Sequence, residues 1–594
     1  MTYLSSREKP HILPGTYESG DGQLNSTNAE EENSQSGKLC VLKLGSSVLA
    51  TPEDYFKVTH EIFRWIREGY RVVAVVSAMG STTDLLLAEA NATVAEPLPE
   101  TLASYLATGE WLSAARLGLA LDKAGVSVRV LDSAGLGLRT VGSVLDAKCH
   151  ELNVPQIKRF LLKNQVLVVP GFVGNDEVGG TTLLGRGGTD LSAIFIANKL
   201  NASHCVLLKD VDGLYTCDPA RFPSQAKRFE TVSYEDVLSL DEGIVQHKAV
   251  SFAQEVSCAF SVGSLLSPQP TTVSSGPSRF SSVLEKQNPL SIFIAGDNPL
   301  AGVLNHQLGQ FPDLFSVAFS GSNALGALKE KLPFMHQRPI LVDLNTGAGQ
   351  GFSLGKATLE AGGGFISANT ACMAEYGLPL KRIAQSLSLP FSCNAAVGGT
   401  VPILETLRGL AGNGQIRRME AVLSGTCNLI LEQMMLKDSF DEALELAGQY
   451  YQTQQDLEAD VSGEGSLNKL LVCANMGLGL GLKKSQVAIS SLGDLNPAWL
   501  PLAREKGVKI RFLSILEVEP HGFKTQIQPT LLDGKHPLAN LPGDYNAFLF
   551  HFRNGNKHLV KGRGTGAESL ALAICGDLVH LFHAQSLKQN LVPV

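Results

Sequence analysis

Short apolar runs alternate with longer stretches whose apolar residues return at helical spacing, and this rhythm organises the chain from Lys38 onward. Leu39 to Leu44 reads as a strand that ends in Gly45-Ser46-Ser47. A helix is predicted over Tyr55 to Glu68, and Arg71 to Ser77 has the pattern of a buried strand. Val166 to Val169, followed by Gly171, and Val206 to Lys209 read as further strands. Asp190 opens an apolar, helix-like run from Leu191 to Leu200. Strands alternating with helices predict an α/β domain with a largely parallel sheet over residues 38–263. Several glycines and polar residues fall just after strands, where such sheets bind ligands.

The rhythm breaks at about Gly263. Ser264 to Ser282 is dense in Ser, Pro and Thr, and residues 264–288 are read as a linker. A second α/β pattern starts at Ser291-Ile-Phe-Ile-Ala-Gly296. Residues 1–37 are rich in Ser, Asn, Glu and Gly and lack the apolar centre of a secretory signal, so a disordered tail is expected.

With 594 residues the chain is too long for one core, which agrees with the two patterned halves. Its formal net charge of −8 gives no reason to expect nucleic acid or an anionic membrane as partner. The longest apolar run, Leu470 to Leu482, is too short and Gly-rich to span a bilayer. Ten cysteines without CxxC pairs suit a reducing compartment, and a cytoplasmic location is expected.

The chemistry concentrates in Thr181-Thr-Leu-Leu-Gly-Arg-Gly-Gly-Thr-Asp190 and Lys209-Asp-Val-Asp-Gly-Leu-Tyr-Thr-Cys-Asp-Pro219. Gly185, Gly187 and Gly188 let backbone amides approach an anion closely. Arg186 offers a planar fork suited to carboxylate or phosphate. Asp190 stands where a helix begins and exposed amides favour negative charge.

Together with Lys43-Leu-Gly-Ser-Ser47, Ser77-Ala-Met-Gly80, Thr108-Gly-Glu110 and Gly171-Phe-Val-Gly174, these segments resemble aspartate kinase, of the amino-acid kinase fold. The resemblance implies Lys43 and Asp190 as the catalytic pair, with Asp190 orienting, because a carboxylate nucleophile needs no general base. It implies Ser47, Glu110 and Arg186 as the L-aspartate site, Glu110 taking the ammonium and Arg186 a carboxylate. Gly45, Ser46, Asp210, Tyr215 and Asp218 are implied to bind ATP, with Mg²⁺ held mainly through its phosphates and no dedicated protein metal site. There are departures. Ser46-Ser47-Val48 replaces the family's Gly-Thr-Ser and is closer to glutamate 5-kinase; Lys209 stands where threonine is usual, and Ala220 separates Pro219 from Arg221.

The second half resembles homoserine dehydrogenase through Val397-Gly-Gly399, Pro402-Ile-Leu-Glu-Thr-Leu407, Leu423-Ser-Gly-Thr-Cys-Asn428, Asp460-Val-Ser-Gly463, His536-Pro-Leu-Ala539 and Gly562-Arg-Gly-Thr-Gly566. The order of the halves is that of the bifunctional aspartokinase/homoserine dehydrogenases, with no room between them for ACT domains or the feedback inhibition these confer. The resemblance implies a Rossmann-like region over residues 289–345, then an α+β homoserine dehydrogenase-like domain over 346–594. Its chemistry is depleted. The dinucleotide fingerprint reads Gly296, Asn298 and Ala301, with Pro299 inside the turn. The family's Asn-Lys pair reads Asn369-Thr370, and Gln454, Gly465 and Asn394 replace acidic residues, leaving Lys469 alone of the charged set.

The leading reading is therefore an ATP-dependent aspartate kinase of the aspartate-family amino-acid pathway, joined to a dehydrogenase-like half without turnover. The alternatives are a fully bifunctional enzyme that also uses NAD(P)H, and a pseudoenzyme acting as a regulatory partner. A homo-oligomer is implied by the resemblance alone.

Overall fold

The computed structural model describes Ile12–Leu13 and residues 38–589 except 241–243, 282–287, 336–337, 412–415, 438–439, 449–453, 520, 543–544 and 565. These residues form two compact units: 38–288 with 578–589, and 289–577 with Ile12–Leu13.

The first unit is built on a sheet whose centre is parallel: β1 (Leu39–Leu44), β2 (Arg71–Val76), β3 (Val166–Pro170) and β4 (His204–Leu208) lie in the order β4-β1-β2-β3. The strands are near-continuous apolar runs because helices cover both faces of such a sheet. Leu42, Leu44, Val73, Val75, Val168 and Leu207 are completely buried. Each contributes about 1.5–3 kcal/mol through apolar area withdrawn from water. The long helix α1 (Pro99–Lys123) starts with proline at a position where a missing N–H costs nothing. Helix α2 (Gly188–Leu200) is buried on nearly all sides, which is why its sequence shows no polar face.

The expected linker is corrected. Thr271–Ser274 is a strand of this same sheet, parallel to Phe229–Ser233 and antiparallel to Phe260–Gly263. Arg279–Phe280 extends the sheet's edge. Thr271 is completely buried; its hydroxyl accepts from the Leu214 amide at 2.9 Å and donates to the Phe229 carbonyl at 2.7 Å. A hydroxyl satisfied on both sides sits in a core without penalty, so polar composition alone misread the segment. Residues 282–287 of the expected linker lie outside the described residues. Of the expected N-terminal tail, Ile12–Leu13 instead pairs with Gly522–Leu532, and the rest lies outside the described residues.

In the second unit, five parallel strands run in the order Phe315–Ser320, β5 (Leu290–Ala295), β6 (Ile340–Asp343), Gly364–Ser367, Phe391–Ser392. The Rossmann-like region therefore extends past the expected boundary at residue 345. A mainly antiparallel sheet follows, with Ile416–Val422 between Lys509–Glu519 and Tyr545–Phe552. Among the described residues one stretch, Ala567–Ala584 in the last helix, is long and apolar enough to cross a membrane, and 56% of it is buried inside the protein. Core helices meet that test as well.

Replacing Thr271 with Val keeps the shape but strands two buried backbone groups. The substitution is expected to destabilise the first unit by about 1–3 kcal/mol in urea denaturation; an unchanged midpoint would place Thr271 outside the core.

Candidate active site

Strand register brings the candidate residues into one row. Leu44 lies opposite Val76 and Leu208, and Val76 opposite Pro170. Gly45, Ser77, Lys209 and Gly171, each one residue further on, therefore gather at the carboxyl ends of four adjacent parallel strands. This edge is where open α/β sheets place ligands.

Lys43 is a charged residue inside a buried strand, and α2 covers it. Its Nζ lies 2.8 Å from Asp190 Oδ1. Gly45 makes room for it: a Cβ there would stand 2.6 Å from the Lys43 ammonium. Lys209 donates to the other carboxylate oxygen at 2.9 Å, and to Oδ1 at 3.1 Å. Burial lowers the Lys43 pKa to about 8, and the Lys209 ammonium adds to the effect against the pull of Asp190. Asp190 is itself buried, yet its two lysines hold its carboxyl below the usual range. Asp190 also belongs to the first turn of α2, where free amides favour negative charge. At neutral pH it is therefore ionised and only a weak proton acceptor.

The loop before α2 needs its glycines. Gly185 and Gly187 have φ of +69° and +74°, the left-handed region. A Cβ on Gly185 would fall 2.2 Å from Asp146 Oδ1, and on Gly187 2.4 Å from the Gln246 Cβ. Lys248 fixes the loop from outside, donating to Leu184 O at 2.8 Å and pairing with Asp146 at 2.5 Å. Arg186 between these glycines is exposed and carries no ion pair among the described residues. The loop thus presents a guanidinium beside the Asp190 end of α2.

Glu110 projects from α1 to the same strand ends and accepts from the Ala78 amide at 3.3 Å. It is only 3% exposed, and its second oxygen, Oε2, is buried without a hydrogen-bond partner. Burial raises its pKa to about 7. An unmet buried acceptor of this kind suits a ligand cation. Ser77 donates to Thr189 Oγ1 at 3.0 Å, tying the end of β2 to α2. Phe172, beside Gly171, holds a φ of 64°, a strained backbone of the kind found at ligand sites.

The remaining expected residues are placed less closely. Ser46 and Ser47 are exposed on the turn after β1, where the Val48 and Leu49 amides both donate to Gly45 O. Asp210, next to Lys209, is exposed. Tyr215 donates to Asp212 at 3.0 Å, while Asp218 accepts from the Ala220 amide at 2.8 Å and pairs with Arg221 at 3.4 Å. Neither touches the Lys43 cluster. Two residues passed over in the sequence matter. Lys209, read there only as a departure from threonine, completes the central ion cluster. Arg228 holds the Asp212 segment through Asp212 O at 2.8 Å.

In the second unit the dinucleotide turn is closed by its own side chains. Gly296 does adopt a φ of +141°. Asn298, however, caps α3 (Pro299–Gly309): its Oδ1 accepts from the Ala301 amide at 3.2 Å and its Nδ2 donates to Leu344 O at 2.7 Å. Pro299 has no N–H. With the Ala301 amide taken by Asn298 and no N–H on Pro299, this helix start offers a pyrophosphate fewer donors. Asn369 is buried as the cap of α4 (Thr370–Ser386), and the Thr370 hydroxyl donates to Ala396 O at 2.7 Å. Lys469 donates to Leu423 O at 2.7 Å. A cleft of about 590 Å³ nearby is lined by residues including Glu375, Glu464, Asn468, Lys483 and Lys484, and Lys469 is not among them. Asn394 donates to Asp577 at 2.6 Å.

Residues 38–256 match the amino acid kinase family, and residues 402–579 match homoserine dehydrogenase. Among curated relatives, an aspartokinase of Helicobacter pylori is 33% identical over 222 residues, covering 37% of this chain and 55% of the relative. An aspartokinase of Thermus thermophilus is 33% identical over 238 residues, covering 40% and 58%. The chain thus spans little more than half the length of these relatives. Among solved structures, a homoserine dehydrogenase from Thiobacillus denitrificans has a TM-score of 0.45 at 23% identity, covering 52% of this chain and 76% of that one. Aspartokinase III of E. coli, in complex with aspartate and ADP, has a TM-score of 0.37 at 21% identity, covering 40% and 64%.

Glu110 sets a pH dependence. Its folded pKa is raised, so the fold favours the protonated acid. Stability is greatest below the unfolded value near ~4.3 and falls as pH rises through about 7. Glu110→Gln is expected to stabilise the protein by about 1–3 kcal/mol at pH 8 and to leave it unchanged at pH 4. Urea titrations of both proteins at the two pH values check this.

Proposed function

We propose, from the premise that the chain belongs to the family joining an amino acid kinase domain to a homoserine dehydrogenase domain, that its first unit phosphorylates L-aspartate on the side-chain carboxylate. The observation that carries the reading is the buried Lys43–Asp190 pair at the strand ends, flanked by the positive-φ loop around Arg186 and the unmet oxygen of Glu110. MgATP, when bound, supplies the phosphoryl group. A carboxylate oxygen forms the new bond to the γ-phosphorus, the bond to the bridging oxygen breaks, and ADP leaves with that oxygen's electron pair.

The chain's own residues supply position and charge, which is what phosphoryl transfer asks of a protein. Lys43 places an ammonium over the moving group, and Asp190 fixes its direction. The exposed turn at Ser46-Ser47 and the room left by Gly45 receive the phosphates, with Asp210 at the rim. Glu110 Oε2 accepts the substrate ammonium, Arg186 the α-carboxylate, and Ser47 offers a hydroxyl. These are all groups that a small dicarboxylic amino acid satisfies together. Tyr215 and Asp218 are assigned to the nucleotide side on family resemblance.

For the second unit we propose that hydride transfer is absent. The support is Asn298, which occupies the helix start where a pyrophosphate would bind, and the engagement of Lys469 with a backbone carbonyl. Reduction of an aldehyde needs a proton donor and a cation at the developing alkoxide. Lys469, the one charged residue kept from the family's set, donates to the Leu423 carbonyl and does not line the cleft beside Thr370.

The test is a paired assay on the full-length chain. Aspartate-dependent ADP formation is expected, without NADPH oxidation in the presence of aspartate semialdehyde. Lys43→Ala should lower the kinase rate by about 10³-fold or more in protein that still unfolds in a cooperative thermal transition. Unaltered turnover in that variant rejects the site. Thr370→Lys alone should create no dehydrogenase, and a large gain of NADPH oxidation from it overturns the reading of the second unit.

A further inference from the structure

We infer that Lys209 is a positioning and charge-supplying residue of the phosphoryl site, giving the Lys43–Asp190 pair the net positive charge it otherwise lacks. This rests on the kinase reading of the first unit and adds a working residue to it.

The argument begins with charge balance. One ammonium against one carboxylate is a neutral pair, and a neutral pair offers little attraction to a polyanion. Lys209 adds a second ammonium to the same carboxylate, at 2.9 Å from Oδ2 and 3.1 Å from Oδ1. One net positive charge is then left at the strand ends. It is concentrated in a site where Lys43 and Asp190 side chains are 7% and 3% exposed, and where Lys209 is 13% exposed. In such surroundings a single charge acts far more strongly than in water.

Geometry gives Lys209 a second effect. The Lys209 ammonium engages both carboxylate oxygens, and Oδ1 also holds Lys43 at 2.8 Å. The carboxylate is thereby fixed in its plane from both sides, and Lys43 with it. Position 209 directly follows β4 (Leu208 lies opposite Leu44), so the lysine extends from the strand end next to β1. A residue one place earlier on β4 would point to the opposite face.

The charged groups facing Lys43 among the described residues are Asp190 from α2 and Lys209 after β4; Asp210 beyond them is exposed. Lys209 therefore has a signature that a purely structural lysine would not. Its ammonium helps to keep the Lys43 pKa below the ordinary lysine value. Activity that needs Lys43 charged is lost as pH rises through that lowered value. Removing the Lys209 charge lifts the Lys43 pKa, so the alkaline limb moves upward.

The experiment uses the full chain with Lys209→Met and Lys209→Arg. It reads aspartate-dependent ADP formation from pH 6 to ~10, together with MgATP affinity by calorimetry. Lys209→Met is expected to lower kcat by about 10²-fold and weaken MgATP by about tenfold. Its alkaline limb should rise by about one pH unit or more, since the repulsion is gone. Lys209→Arg should recover at least about a tenth of the lost rate and keep the limb in place. A methionine variant within about threefold of the parent in rate and affinity overturns the proposal. So does one that loses rate but keeps both its alkaline limb and its MgATP affinity, since that is structural damage alone. Should the parent chain form no ADP with aspartate, the kinase reading fails by itself. MgATP affinity then decides on Lys209: equal affinity in parent and Lys209→Met overturns it, and about tenfold weaker affinity sustains it.

Discussion

The first unit depends on one buried carboxylate. Asp190 is held between two lysines in a site from which water is nearly excluded. Taking three charges out of water costs several kcal/mol each before any attraction is counted. The compensation is spread over the fold: the first turn of α2, two ammonium groups and the alignment of four parallel strands. None of these is local in sequence. Lys43 and Asp190 are brought together because β1 runs under α2, and Lys209 joins them because β4 is the neighbour of β1. The glycine loop sets where α2 begins, and so where the carboxylate points.

Much of this was legible in the chain. Buried parallel strands announce themselves as short apolar runs, and β1 emerges with the bounds its sequence suggests. Lys43 was legible through the resemblance of its segment to aspartate kinase, since a lysine at a strand end is by itself most often a solvated charge. What composition could not convey was partnership. Thr271 looks like linker until its hydroxyl is seen bridging two backbone groups in the core. Lys209 looks like a lost threonine until the strand register sets it beside Asp190. Both belong to contacts between segments far apart in the chain, and residue type alone does not encode such contacts. Glu110 shows the reverse case: a motif suggested it, and an oxygen buried without a partner gives that suggestion physical content.

In the second unit polar side chains at the helix starts are engaged within the fold. Asn298 satisfies the helix amide that a phosphate would otherwise take, Asn369 and Thr370 satisfy their own neighbours, and Lys469 finds a carbonyl. Each of these contacts is a normal hydrogen bond to a backbone group. Polar order also persists deep in the antiparallel sheet, where Glu420 is held below the usual carboxylate range by His536 at 3.1 Å, His551 and Arg418.

Neither unit is a continuous stretch of the chain. The first draws on residues from 578 onward as well as those before 289, and the second draws on Ile12–Leu13 from near the beginning. The halves are therefore not successive beads on a thread. A protease acting once around residue 288 would leave each product without a piece that the other carries.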